Sequence, residues 1–427
     1  MFKFFALLLL VPLTMFSAPA QTPADSAPAA SAINSVGIDL LHQTGRADAN
    51  ALLSPYSIET ALTMAYAGAD GATRDEMARV LHLRGDGAQV AGEFAALQGL
   101  MDVLVQRSLE RYMQMRLYGG KEDPITLDVA NRLFGQQGYD FRPAFLDLLK
   151  TKYDAPFQAM DFVHDAAGAT KTINDWVEQK TKERIRDLVP KGALSKDTGL
   201  VLVNALYLKA PWLSPFEEGA TQPLPFHIGG GAAATVPTMS IEKSFGYAKS
   251  MGVTVVSLPY SDRDLQFLII LPDDTNGLAK VEAELTATQL AGWANLPGRE
   301  VKLFLPKFKI EPPTLPLGDA LQKLGMTSAF DKPRGSANFD RMAPRRPNDY
   351  LYISDVFHKT FLSVDEKGTE AAAATAVVMM RALSAEPIPP KPIEVRVDHP
   401  FILAIQHRAS GACLFLGHVV DPRATGL

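Results

Sequence analysis

Cysteine is almost absent: Cys413 is the only one in 427 residues. A single thiol excludes an intrachain disulfide framework and any cysteine-clustered zinc site. Basic excess is missing too. Lys and Arg number 42 against 47 Asp and Glu, a net charge of −5, whereas a nucleic-acid binder favours a basic surface. Long apolar runs are lacking; Phe4–Phe16 stops at 13 residues, short of a bilayer span, and nothing later is long and apolar enough. There is no G-x-S-x-G elbow, Walker loop, H-E-x-x-H or dinucleotide fingerprint. The eight histidines show no metal-ligand spacing, so neither metal nor cofactor is expected. The run 229–231 reads as a hairpin tip, not a phosphate loop. A serine–histidine pair brought together by the fold stays open, with no local motif behind it. What is present is ordinary for a globular protein, 47% apolar and 21% charged, which excludes disorder and collagen-like fibres.

Residues 1–20 carry Lys3, the apolar run and then Ala18-Pro19-Ala20, the layout of a cleaved signal peptide. Its removal takes away one positive charge and leaves −6. The chain is therefore expected to be exported, with periplasm and external medium equally open and an uncleaved anchor as the alternative. Residues 21–31 (QTPADSAPAAS) read as a flexible lead-in.

The first half reads as mostly helical. Ile33–Gln43 is apolar at helical spacing. Ser54-Pro55 suits an N-cap and first turn, followed by Ile58, Ala61, Leu62 and Ala65 on one face and Gly68 at the stop. Thr73–Glu76 has capping-box spacing; Phe94–Leu109, Phe145–Lys152 and Ile173–Leu188 also predict helix. Lys121–Pro124 reads as a loop before the strand Leu127–Phe134. The second half reads as mostly strand. Leu200–Leu208 and Leu265–Leu271 are continuous apolar runs, the pattern of strands covered on both faces. Val301–Ile310, Thr360–Val364, Ile393–Val397, Phe401–Ile405 and Leu414–Val420 are further strands, the last two flanking a turn at Ala409-Ser410-Gly411. Cys413 sits in an apolar strand and is expected in the core. With no repeat and no dividing linker, residues 32–427 predict one α+β domain with a helical half packed on large sheets.

One segment departs from this plain reading. Asp365–Leu383 (DEKGTEAAAATAVVMMRAL) is helical by local propensity. Yet a strand, Thr360–Val364, leads into it, Gly368 offers a hinge where the pattern changes, and prolines crowd only after it, from Pro387 to Pro392. Drawn as a strand, it places Thr369, Ala371, Ala373, Thr375, Val377 and Met379 on one side, uncharged and small at the leading end. Such a strand can enter a sheet centrally, where a proline would not be tolerated. The segment thus permits two states, exposed loop or inserted strand.

At this point the chain resembles the serpin family, over about residues 32–423. The resemblance is carried in order by Asn50–Ile58 with Ala67–Thr73, Val129–Phe134, Ile173–Val177 with Thr181 and Ile185, Leu202–Lys209 with Trp212 and Pro215-Phe216, Leu305–Phe308, Phe357–Lys359, Asp365–Thr375 and Val395–Leu403. It implies the serpin fold: about eight to nine helices packed on three β-sheets, with an exposed reactive-centre loop at about 366–392. It also implies an inhibitor and not an enzyme. A target serine protease attacks the loop and forms an acyl-enzyme, the loop inserts as a new central strand, and the trapped protease is distorted. An exported, bacterial, inhibitory member is the accompanying expectation. The partner would be the target protease, held covalently by a monomer, with no nucleic acid, no membrane after signal cleavage and no cofactor.

Residue by residue, the resemblance implies a shutter at Ser54, Ser57, Asn204 and His358. It implies a breach at Trp212 and Lys307, the latter paired with Glu366. The hinge would comprise Glu366, Gly368, Thr369, Glu370, Ala371, Ala372, Ala373, Ala374 and Thr375. The bait residue is expected about sixteen positions after Glu366, which puts the reactive bond at Ala382–Leu383 and the target among elastase-like proteases. Arg381, giving a trypsin-like target, and then Met380 are the alternatives. The stretch from Ala382 to Pro400 is longer than is usual for the family. Two other functions compete: a non-inhibitory carrier or chaperone, for which the hinge should hold bulky or charged residues, and a secreted hydrolase of another fold, which lacks a visible dyad. Inhibition of papain-like cysteine proteases is a variant of the first reading.

Overall fold

The apolar run at Leu200–Leu208 is buried on both faces, and that fact organises the molecule. The computed structural model describes residues 23–120, 123–228, 233–346, 349–370 and 391–423. Among these residues lie nine α-helices. They are α1 (Pro23–Thr44), α2 (Pro55–Gly68), α3 (Gly71–Val80), α4 (Gly87–Leu117), α5 (Pro143–Tyr153), α6 (Phe162–Lys180), α7 (Leu278–Glu284), α8 (Ala287–Gly292) and α9 (Gly318–Lys323). The strands are β1 (Ala51–Leu53), β2 (Thr126–Gln136), β3 (Gln158–Met160), β4 (Leu200–Pro211), β5 (Gln222–His227), β6 (Ala233–Ser250), β7 (Val253–Pro259) and β8 (Leu265–Pro272). They continue with β9 (Gly298–Pro306), β10 (Phe308–Ile310), β11 (Leu315–Pro316), β12 (Ile353–Thr360), β13 (Leu362–Val364) and β14 (Gly368–Thr369). The last three are β15 (Ile393–Arg396), β16 (Phe401–His407) and β17 (Cys413–Val419).

Hydrogen bonding joins the strands into two networks. One follows β1-β17-β16-β8-β7-β6-β9-β15, with β5 on β6; the other follows β10-β13-β14-β4-β12-β11, with β2 and β3 beside β4. The three expected sheets appear as two networks because β6 is long. Its first part pairs with β5 and β9 and its last part with β7, so one strand passes from one sheet into the next. In β4, Leu200, Leu202, Leu206 and Leu208 belong to the main core, while Val201, Val203 and Ala205 meet Ile173 and Val177 of α6 in a second core. Alternate side chains thus enter two apolar layers, which removes the polar alternation of a half-exposed strand. Cys413 is fully buried, and burial pushes its thiol up to about 12.

Several expectations are revised. Residues 23–31, read as a lead-in, open α1, with Ser26, Ala29 and Ala30 buried. The capping box at Thr73–Glu76 does not form, because α3 begins at Gly71 behind Asp70. Glu76 instead accepts from the backbone N–H groups of Thr327 and Ser328 at 2.8 and 2.7 Å. The helix read over Ile173–Leu188 ends at Lys180, and Lys182, Glu183 and Asp187 all take positive φ. The strands β5, β6 and β7 were not anticipated. The glycine run at 229–231 lies outside the described residues, but the strands on either side pair, His227 opposite Ala233. No helix among the described residues is long and apolar enough to cross a membrane.

Candidate functional site

Strands β4 and β12 are neighbours and run parallel, Asn204 opposite His358 and Leu206 opposite Thr360. At their upper end the chain leaves β13 at Val364, turns through Asp365–Lys367 and comes back as β14. This two-residue strand lies antiparallel to both neighbours: Thr369 faces Val364 on one side and Ala210 on the other. A strand has thus been started between the two walls and stops after Thr369, below which the walls close on each other.

The turn that makes this start is held from every side. The Asp365 carboxylate accepts from the N–H groups of Lys367 (2.8 Å) and Gly368 (3.2 Å). Trp212 donates its indole N–H to the carbonyl of Asp365 at 2.9 Å and its backbone N–H to that of Lys367 at 2.9 Å. The indole stacks on Tyr260, centroids 4.7 Å apart and planes 11° from parallel, and the Tyr260 hydroxyl meets that of Thr369. Glycine is required at 368 by close approach: a Cβ there would lie 2.2 Å from the carbonyl oxygen of Ala210.

Lys307 and Glu366 pair as expected, Nζ to Oε2 at 2.7 Å, and the Thr221 hydroxyl donates to the other carboxylate oxygen at 2.7 Å. The two partners differ in exposure. Glu366 is 9% exposed in its side chain against 37% for Lys307. Burial works against the ionised carboxyl, but the ammonium and the hydroxyl outweigh it and hold the group below its ordinary range. Glu370, which follows Thr369 in the hinge, has φ +46 and has left strand geometry. Its carboxylate pairs with Arg184, from the turn after α6.

Deeper along the same walls lies a polar row. Asn131 of β2, Asn204 of β4 and His358 of β12 stand side by side, and the start of α2 packs beneath them. Ser57 donates its hydroxyl to Asn131 Oδ1 at 2.7 Å, and the Ser54 N–H donates to His358 Nε2 at 3.1 Å. Because Nε2 accepts, the proton of a neutral ring sits on Nδ1, which donates to Asn204 Oδ1. Burial pushes His358 down to about 3, so the ring is neutral. The Nδ2 groups of Asn131 and Asn204 are buried without a partner among the described residues. Ser54, Ser57, Asn204 and His358 therefore form one cluster, and Trp212, Lys307, Glu366, Gly368 and Thr369 form a second above it.

Ala371, Ala372, Ala373, Ala374 and Thr375 of the hinge lie outside the described residues, as do Met380, Arg381, Ala382 and Leu383 of the reactive bond. Sequence reasoning missed Thr221, Tyr260, Arg184 and Asn131, each of which completes a contact made from a distant part of the chain. Of the four, only Asn131 lay inside a block of the family resemblance, Val129–Phe134.

The family model described as "Serpin (serine protease inhibitor)" matches residues 31–422. A leukocyte elastase inhibitor of Bos taurus is 36% identical over 382 residues, covering 87% of this chain and 93% of the relative. A serpin-like protein of Thermococcus kodakarensis is 37% identical over 399 residues, covering 93% and 86%. Among solved structures, the native-state crystal structure of Tengpin, a thermophilic serpin, superposes with a TM-score of 0.77 at 27% identity, covering 92% of this chain and 93% of that one.

Proposed function

The chain belongs to the serpin family, and on that premise we propose that it inhibits serine endopeptidases by a suicide mechanism in which its cleaved loop becomes a strand of the central sheet. The observation that carries this reading is the started strand Gly368–Thr369 between β13 and β4. Continued in the same register, each later residue meets one step further back along both walls. Six residues on from Thr369, Thr375 would lie between Asn204 and His358, which are six residues back from Ala210 and Val364. Its hydroxyl would offer an acceptor to the unpartnered Asn204 Nδ2. Met379 would fall opposite Leu200, the first residue of β4. The wall is therefore long enough for the small-residue segment and ends just short of the expected bond at Ala382–Leu383.

The two faces of such a strand fit what they would meet. Ala371, Ala373, Val377 and Met379 would join the main core beside Leu208, Leu206, Leu202 and Leu200. Ala372, Ala374 and Ala376 would pass under α6 beside Tyr207, Ala205 and Val203, where only small side chains slide through. Insertion replaces one parallel ladder by two antiparallel ones, which are slightly more stable per residue. At about 0.5–1.5 kcal/mol net per hydrogen bond, a net gain of about ten bonds is on the order of 10 kcal/mol. That rivals the stability of a whole domain, about 5–15 kcal/mol, so the uninserted state is strained and kinetically held.

The target's serine would attack the Ala382 carbonyl and release the amine of Leu383, leaving an acyl-enzyme. Insertion then pulls the protease across the molecule. Deacylation stalls, since a catalytic group misplaced by about 1 Å can cost about 10²-fold. A small residue at 382 fits an elastase-like pocket, and the similarity to leukocyte elastase inhibitors supports that direction. Export is part of the proposal on the strength of residues 1–20 alone. Relatives from Bos taurus and Thermococcus kodakarensis give neither export nor a bacterial source any support. The protein is proposed to act as a monomer, and its partner is the protease. Mixing with pancreatic elastase and with trypsin tests the function: an SDS-resistant complex with at least one is expected. Cleaved inhibitor without complex, across serine proteases of differing pockets, would favour the non-inhibitory reading.

A further inference from the structure

His418 is a fully buried histidine of β17, far along the chain from the hinge, and its ring is surrounded by acceptors. Nδ1 lies 3.2 Å from Glu282 Oε1 of α7; Nε2 lies 2.9 Å from the carbonyl oxygen of Ala49 and 3.1 Å from that of Arg46. A carboxylate and two backbone carbonyls donate nothing, so both ring nitrogens must carry protons for these contacts to be hydrogen bonds. The proton shared with Glu282 belongs on the ring, because a carboxyl is ordinarily the stronger acid by about two pH units.

We propose that the imidazolium of His418 is a pH-responsive clasp that ties α7 and the turn at 45–50 to the C-terminal strand. Through that turn it steadies β1, whose residues Ala51–Leu53 pair with β17 and lead directly into Ser54. Leu52 also accepts the Thr360 hydroxyl at 3.1 Å, so the turn and the polar row beneath the sheet share one short connection. Burial pulls the ring towards the neutral form, but the hydrogen bond and charge of Glu282 with the two carbonyls outweigh it, and the net shift is upward.

The other titratable groups around the clasp are few. His42 of α1 binds the Glu282 carbonyl at 2.7 Å by its ring. Arg46 and Asp48 pair with each other on the exposed side of the turn, and Asp421 and Arg423 do so beyond β17. Lys280 and Glu284 of α7 are exposed, β1 has no titratable side chain, and His407, at the far end of β16, meets Ser410. When the ring loses a proton, the stronger charge-assisted bond to Glu282 keeps its hydrogen. Bare Nε2 then faces two carbonyl oxygens, and the turn at 45–50 is released.

The sign follows from the raised value: the clasp contributes fully below the ordinary imidazole value of about 6.5 and is lost as pH rises through the folded one. The clasp belongs to the resting fold and stands whether or not the loop inserts. Its test uses the full chain with nitrogen-labelled histidine, the His418 signal being assigned by its loss in His418→Gln. Both ring nitrogens should be protonated at pH 7. In urea, the wild type should unfold faster as pH rises from about 6.5 to about 9, and His418→Arg, which keeps the charge and the donors, should lose that acceleration. His399, which lies between Asp398 and the carbonyl of Pro272, is common to both chains and cancels. Should either variant fail to fold, Glu282→Gln removes the counter-charge and should move a histidine titration downward. A neutral His418 ring at pH 7, an equal acceleration in the arginine variant, or histidine titrations unmoved by Glu282→Gln would overturn the clasp.

Discussion

His358 and Asn204 hydrogen-bond to each other across the two parallel strands that an inserting loop would have to part. The bond is a cross-strand tie at the point where Thr375 is proposed to arrive. His358 is neutral in the fold because burial pushes it down to about 3. Its ordinary value is about 6.5, so the unfolded chain binds the proton first. The stability it contributes is present above about 6.5 and is lost as pH falls towards 3. Urea midpoints measured from pH 7 to pH 4 should therefore fall, and fall less in His358→Gln. Equal slopes in the two proteins would remove His358 from the account. His407, held down to about 4 by burial, adds to the slope of both.

Lys307→Met should destabilise more than Glu366→Gln. The methionine leaves a mostly buried carboxylate with only Thr221, and an unpaired buried group costs about 1–3 kcal/mol, more when it is charged. The amide keeps the shape and can still receive a hydrogen bond from Lys307. Denaturant unfolding gives both numbers, and the reverse order would contradict the described geometry.

Gly368→Val puts a side chain where the Ala210 carbonyl stands 2.2 Å from the Cβ position. The started strand cannot then sit between β13 and β4. The variant should be cleaved by the target protease as a substrate, with the yield of SDS-resistant complex falling at least about tenfold, which corresponds to about 1.4 kcal/mol between the two outcomes. Undiminished complex yield would mean that the start of the strand is dispensable.

Glu59 of α2 is fully buried, and neither carboxylate oxygen has a partner among the described residues. Burial raises its titration well above the ordinary range, so the fold holds it protonated and loses stability as pH rises past the unfolded value. Glu59→Met should stabilise the protein at pH 7 by about 1–3 kcal/mol. A variant less stable than wild type would show that the carboxyl has a compensating role.

Cleavage at the proposed bond gives a C-terminal fragment beginning at Leu383. Mass spectrometry of the denatured reaction with elastase should show it, and Ala382→Arg should shift complex formation towards trypsin. A fragment beginning at Ala382 would assign the bait to Arg381.

Much of the fold was legible because its strongest signals are local. The apolar run in β4, the Ser54-Pro55 start of α2 and the turn before β17 each follow from a few neighbouring residues. The ordered blocks of family resemblance located both the polar row and the turn at Asp365–Gly368. What stayed hidden was tertiary. Glu76 looked like a capping residue until Thr327 and Ser328 claimed it. Thr221 and Tyr260 carry no pattern of their own and matter only because the sheet brings them to Glu366 and Thr369. The split of β4 into two cores explains why its sequence looked uniformly apolar, yet nothing local names α6 as the second cover.

The central claim is that the segment after Thr369 takes the place now closed between β4 and β12. A crystal structure of the protein nicked in its loop tests it most directly. Thr375 should then be flanked by Asn204 on one side and His358 on the other, with the tie between them broken. A nicked structure in which β4 and β12 still pair in parallel, Asn204 opposite His358, would contradict it.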